Sequence, residues 1–223
     1  MSTLTNRIRG FPPILLLRKS WNTFTPIKVT RVGKRVVFGE RVFDADAEKW
    51  ELSQSFDWTM YATLDPLAMV LLDEVERVAS KDDVILDFCC NVGRHLNEMA
   101  RRGFTNLRGV DVMRSAILEA KAHFPALQNV DMVQSNVVDF FRGLEDDSVD
   151  WIYAHSATVE LIHPAFDFAA EFARCARKGV IMLLDENGHK YPRFYRWKFR
   201  RAGLAVEKRT RVSDRLALLT LSK

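Results

Sequence analysis

The pattern of apolar and polar positions changes period repeatedly along this chain. VILDF (84–88) reads as a strand buried on both faces, since apolar residues run on without alternation. LRGVDV (107–112), VDMVQS (130–135), VDWIYA (149–154) and VIMLLD (180–185) repeat the signal. Helical spacing appears between them at 93–102, at SAILEAKAHF (115–124), at about 165–177 and at 191–202. Ahead of the first strand, DPLAMVLLDEVERVA (65–79) opens with Asp65 as N-cap and Pro66 at the first helical position. LAVEKRTRV and RLALLTLS close the chain. Joined by only a short turn, they must pair antiparallel. The alternation predicts an α/β fold: a doubly wound, mostly parallel seven-stranded sheet with an antiparallel last strand and right-handed crossovers.

Residues 1–64 fall outside this pattern and are expected to form an N-terminal extension to a domain spanning 65–223. IKVTRVGKRVVFGERVF (27–43), with Gly33–Lys34 at its middle, predicts a short hairpin. The stretch WELSQSFDWTMYATLDP gathers Trp50, Phe56, Trp58 and Tyr61. It is a candidate cap or acceptor pocket, with plain core packing as the alternative. The apolar run Ile14–Leu17 is too short to span a membrane. An apolar strip packed on the domain is expected there, with weak peripheral contact to a membrane surface as the alternative.

Composition adds little. Of 223 residues 48% are hydrophobic and 28% charged, and the net charge is +4. That balance is too small to imply nucleic-acid binding. Three cysteines, two of them the neighbours Cys89 and Cys90, argue against a disulfide framework and for a reducing, cytoplasmic setting. No ligand spacing for a metal is present.

Ligands of open α/β sheets bind beyond the carboxyl ends of the strands. The loop after the first strand reads Asp87-Phe88-Cys89-Cys90-Asn91-Val92-Gly93-Arg94, and the second strand ends in Gly109-Val110-Asp111. Asp111 follows Gly93 at roughly the spacing, about 20 residues, that separates a nucleotide loop from the carboxylate that takes ribose hydroxyls. VILDFCCNVGRHL resembles motif I of the class I, Rossmann-like S-adenosylmethionine-dependent methyltransferases, in a bacterial branch of the type 11/25 kind. Asp87 falls on the motif's acidic position; Cys89, Asn91 and Gly93 fall on its three glycines. Two glycines are thus replaced. Asn tolerates left-handed backbone, and adenosylmethionine has no pyrophosphate to bring against the loop, so the change hurts a dinucleotide more. The resemblance, over roughly 82–220, implies S-adenosyl-L-methionine as cofactor. It would be held by Asp87, Cys89, Asn91, Gly93, Arg94, Asp111, Val112, Asn136, Val137 and His155.

Methyl transfer from a sulfonium depends on holding the nucleophile in line, and a hydroxyl acceptor gains from a general base. His155, at the end of the fourth strand, is the candidate base, with a purely structural histidine as the alternative. Trp58, Tyr61, Glu186, His189 and Arg193 are candidate acceptor contacts. Glu160 and His163 read as loop-packing residues, and Asp185 and Glu186 also read as loop caps or arginine partners. Cys89 and Cys90 lie where a helix N-terminus could activate a thiol. HKYPRFYRWKFRRAG (189–203) mixes cations with aromatics and suggests a face for a phosphate or carboxylate, or simply a solvated basic face. The expectation is O- or N-methylation of a small or medium-sized, anionic or sugar-like acceptor, with no long nucleic acid. The alternatives are an inactive adenosylmethionine-binding partner and an NAD-dependent oxidoreductase.

Overall fold

The computed structural model describes residues 12–32, 34–51, 57–156 and 158–223. Gly33 of the expected hairpin turn and Phe56 of the aromatic stretch lie outside the described residues. Strands β3 (Val84–Phe88), β4 (Asn106–Asp111), β5 (Asp131–Gln134), β6 (Val149–Ala154), β7 (Ala176–Asp185), β8 (Ala205–Arg211) and β9 (Leu216–Ser222) form one sheet in the order β5-β4-β3-β6-β7-β9-β8. The first five are parallel, and β9 lies antiparallel between β7 and β8. The order reverses between β3 and β6, which places a crevice at the carboxyl ends of β3, β4 and β6.

Both faces of the sheet are covered. On one side α4 (Pro66–Val78) and α5 (Arg94–Arg101) bury Leu71, Leu72, Leu96 and Met99 against Ile85 and Leu107. On the other, α7 (Val137–Gly143), α8 (Phe168–Cys175) and α9 (Tyr195–Arg201) build an aromatic core in which Phe88, Phe141 and Phe172 meet edge to face or tilted. Helix α6 (Arg114–His123) and a single 3₁₀ turn, Pro125–Leu127, join β4 to β5. The expected cap is in place: Asp65 Oδ1 accepts from Ala68 N at 2.8 Å. Helix α7 has no counterpart among the predicted elements. Its start is fixed by Asn136, whose side chain accepts from Asp139 N at 2.9 Å.

The hairpin forms as β1 (Val29–Val32) and β2 (Arg35–Phe38), but residues 41–43 belong to α2 (Arg41–Glu51) rather than to a longer strand. A short α3 (Trp58–Ala62) follows, capped by Asp57. The run Ile14–Leu17 lies in α1 (Pro12–Phe24). Its packing differs from expectation: Ile14 and Leu15 are half-buried, but Leu16 and Leu17 stay 57% and 70% exposed. No helix among the described residues is long and apolar enough to cross a membrane.

Candidate functional site

The loop from β3 to α5 has φ of 61° at Cys89, 50° at Asn91 and 69° at Gly93. All three positions that resemble motif glycines therefore take the left-handed conformation, although only one is glycine. A side chain at such a φ costs about 1–2 kcal/mol, and the surroundings hold it there. Cys90 N donates to Val110 O, and Gly93 N donates to Cys90 O. Asn91 Oδ1 accepts from Val92 N at 2.8 Å. Asp111, at the end of β4, accepts from Asn91 N through Oδ2 and from Met113 N through Oδ1, both at 2.9 Å. One carboxylate thus ties the loop to the neighbouring strand. Gly93 itself does not line the crevice. A Cβ there would lie 2.7 Å from Leu127 Cδ1 and 3.2 Å from Met132 Cε, so glycine is needed for packing as well as for φ.

The crevice encloses about 310 Å³, at the low end of small-molecule sites, which run from about 300 to 1,000 Å³. Beyond β4 and β5 it is lined by Asp111, Val112, Ser135, Asn136 and Val137; beyond β6, by His155, Ser156, Leu161, Ile162 and His163. Phe43, Trp50 and Tyr61 reach it from the N-terminal elements. Cys89, Asn91 and Arg94 line its floor. Arg94 is anchored, donating to Thr63 O at 2.7 Å. His163 accepts from Ala165 N through Nδ1, so its Nε2–H donates to Val29 O at 2.9 Å and fixes the hairpin beside the crevice.

Beneath the crevice lies a buried polar group. Asp87 is 1% exposed, with Oδ2 lacking a hydrogen-bond partner and His95 Nδ1 3.8 Å away. Burial pushes its carboxyl up to about 8, and the charge of Asp111 adds to the rise; the Tyr153 hydroxyl and Arg94 oppose it. Burial lowers His95, and the neighbouring His155 and Arg94 lower it further. His155 sits 5.2 Å from His95, ring centre to ring centre. It is also lowered, by burial first and then by Arg94, against the pull of Asp65. Its Nε2 has no hydrogen-bond partner, and the nearest carboxylate oxygen, Asp65 Oδ1, is 3.9 Å away. His155 lines the crevice wall with burial pressing against its charged form, and its Nε2 is itself buried. Burial raises the Asp111 carboxyl too, and its backbone donors restrain the rise. Cys89 and Cys90 are pushed well up by burial, which disfavours the thiolate a nucleophile would need.

Four of the candidate acceptor contacts stand elsewhere. Arg193 is 1% exposed and donates to Val159 O at 2.7 Å and to Ile162 O, making it a strut under the loop after β6. Glu186 pairs with Arg209 at 2.6 Å and with Arg196 at 3.6 Å. His189 sits in a turn at φ 58° and offers its carbonyl to Arg18. Trp58 stacks on His123 at 3.9 Å, apart from the crevice wall. Of the five, Tyr61 alone is among the crevice residues. Asn136 lines the crevice, but its side chain is committed to capping α7, which leaves the Val137 amide, without an intrahelical acceptor, as the donor there. Glu160, fully buried, accepts from Thr158 N and Asp185 N and joins the β6 and β7 loops. Phe43, Leu161, Ile162 and His95 had no sequence signal; they reach the site only through the fold.

Residues 85–179 match a protein family described as a methyltransferase domain. No curated protein sequence matches the chain. Among solved structures, magnesium protoporphyrin IX methyltransferase from Synechocystis PCC 6803, solved with S-adenosylmethionine bound, aligns with TM-score 0.64 and 12% identity over 80% of this chain and 97% of that one. A TehB-like S-adenosylmethionine-dependent methyltransferase from Corynebacterium glutamicum gives 0.57 and 17% over 81% and 99%. Geranyl diphosphate C-methyltransferase from Streptomyces coelicolor A3(2) gives 0.54 and 14% over 70% and 74%. At these identities the likeness to solved structures is one of fold. With the family match across the crevice-forming segment, residues 85–179 resemble a methyltransferase domain carried on the fold these structures share.

Proposed function

We propose that the chain methylates a small, largely apolar acceptor through a hydroxyl or amine presented to His155. The observation that carries this reading is the crevice lining: Phe43, Trp50, Tyr61, Leu161 and Ile162 share it with His155. The basic stretch near residue 190 favours an anionic acceptor on sequence, but three of its cations are engaged elsewhere: Arg193 with carbonyls, Arg196 with Glu186 and Lys198 with Asp167.

The residues fit S-adenosylmethionine. Asp87 carries a buried, partnerless carboxyl oxygen, as suits a cationic methionyl group above it. Each oxygen of Asp111 uses one lone pair on the loop and keeps another for ribose hydroxyls. The Val137 amide suits adenine. Cys89 and Asn91 place side chains where a dinucleotide would need bare backbone, against NAD. When bound, the cofactor supplies an electrophilic methyl group on sulfur.

Asp111 and the loop hold the cofactor end, and the aromatic wall orients the acceptor and excludes water. The wall would hold the acceptor's lone pair in line with the methyl group that the bound cofactor would supply. For a hydroxyl acceptor, His155 is the group at the wall that takes the proton. Catalysis by such holding comes largely from orientation. The test is release of S-adenosylhomocysteine across a panel of acceptors. Phenols, apolar alcohols and amines should turn over, and His155→Ala should slow the hydroxyl acceptors far more than the amines. Turnover confined to phosphates or sugars would refute the apolar-acceptor reading.

A further inference from the structure

Helix α1 is amphipathic the wrong way round for a helix that covers a domain. Its polar residues face inward. Asn22 and Thr23 are buried; Asn22 Nδ2 donates to Pro192 O at 3.0 Å, and Thr23 Oγ1 accepts from Phe194 N at 3.1 Å. Arg18 and Lys19 on the same side bond the 187–190 segment. The opposite face holds Leu16, Leu17, Trp21 and Phe24, each more than half exposed. At 100° per residue these four fall within one arc of the helix. A water-facing helix normally presents the reverse.

Beside this face Phe24, Trp197, Lys198 and Arg201 share a cleft with one carboxylate, Asp167, which pairs with Lys198. The apolar face continues at Phe24 onto Trp197 of α9, with ring centres 4.7 Å apart. Arg201 lies over Trp197 at 5.3 Å. Arg200 and Arg201 are exposed and have no carboxylate partner among the described residues. Leucines and a tryptophan flanked by unpaired cations are the chemistry of a helix lying in the plane of an anionic bilayer surface. Tryptophan and phenylalanine rings favour the headgroup boundary, and the arginines favour its phosphates.

We infer that the outward face of α1, with Trp197, Arg200 and Arg201, docks the protein on anionic lipid. The inference stands apart from the methyl-transfer reading, because it uses no crevice residue. The hairpin that follows α1 is tied to the crevice by His163 and carries exposed Val36 and Phe38, so docking brings lipid close to the N-terminal elements that wall the site.

The experiment is co-sedimentation of the full chain with vesicles of phosphatidylcholine alone and of phosphatidylcholine mixed with phosphatidylglycerol. The protein should partition onto the mixed vesicles, and raised salt should weaken the binding. Leu17→Glu with Trp21→Glu, and separately Arg200→Gln with Arg201→Gln, should each cut partitioning by at least about tenfold. All four side chains are exposed, so both variants should keep the wild-type circular dichroism. Three outcomes would overturn the inference: no binding to mixed vesicles, equal binding to both kinds, or variants that bind like the wild type. A chain that is dimeric in sedimentation velocity and becomes monomeric in Leu17→Glu/Trp21→Glu would assign the face to a second copy instead.

Discussion

Gly93→Ala isolates what the cofactor loop demands of its one remaining glycine. Two costs arise from the structure. Holding an L side chain at φ 69° costs about 1–2 kcal/mol. The new Cβ would also stand 2.7 Å from Cδ1 of Leu127, which is fully buried and hemmed in, so Leu127 must shift. Overpacking of that kind costs about 1–3 kcal/mol. The expected loss is therefore about 2–5 kcal/mol. Gly103 supplies the control, with φ 89° and nothing within 4 Å of its missing Cβ. Gly103→Ala should show only the backbone cost, about 1–2 kcal/mol. Urea unfolding followed by circular dichroism measures both variants, and calorimetry with S-adenosylhomocysteine reads the loop. Gly93→Ala should be the less stable variant and should lose cofactor affinity, while Gly103→Ala keeps it. Equal stability losses would refute the packing argument, and unchanged affinity in Gly93→Ala would show that the loop does not shape the site.

Other perturbations have similarly definite outcomes. Glu74, 5% exposed, is held down to about 2, chiefly by Arg77 and then by Lys208 and Thr220. A lowered carboxyl stabilises the fold above its unfolded value of about 4.3 and loses that contribution as pH falls toward 2. Because Arg77 and Lys208 are half exposed, we expect Glu74→Gln to cost about 2 kcal/mol at neutral pH and to flatten the acid limb of a melting-temperature profile. An unchanged acid limb would remove Glu74 from that role. For hydroxyl acceptors, turnover should rise with pH through a value below the usual imidazole range and level off by neutrality, because the active form of His155 is the neutral one. A rise centred above neutrality would point to another base. Arg193→Met removes the strut beneath Val159 and Ile162, so the Michaelis constant for the acceptor should rise while the affinity for S-adenosylhomocysteine holds. The reverse pattern would place Arg193 on the cofactor side.

The sheet was legible because each buried strand is a short apolar run and every crossover but that from β5 to β6 has helical spacing. Asp65 and Pro66 marked the start of α4 to the residue. The loop was legible too: Cys89, Asn91 and Gly93 all adopt the backbone that the motif requires. Helix α7 was hidden because its seven residues are too few to show a period, and Asn136 was read for ligand contact rather than as a cap. The acceptor side was the least legible. Arg193 reads as a surface cation, but tertiary packing buries it against two carbonyls. Phe43 and His95 carry no local signal, since the elements that bring them to the site are distant in sequence. In α1 the polar residues pack inward, so the apolar run Ile14–Leu17 was visible in the sequence without showing that Leu16 and Leu17 point outward.

Calorimetric titration of the wild type and Asp111→Ala with S-adenosylhomocysteine and with NAD is the most direct test of cofactor use. Asp111 offers two charge-assisted acceptors, each contributing about 1.5–3 kcal/mol, and also holds the loop at Asn91 and Met113. The wild type should bind S-adenosylhomocysteine and give no heat with NAD, and Asp111→Ala should weaken binding by at least about a hundredfold while remaining folded. NAD binding by the wild type, or S-adenosylhomocysteine affinity unchanged in Asp111→Ala, would contradict the assignment of this crevice to adenosylmethionine.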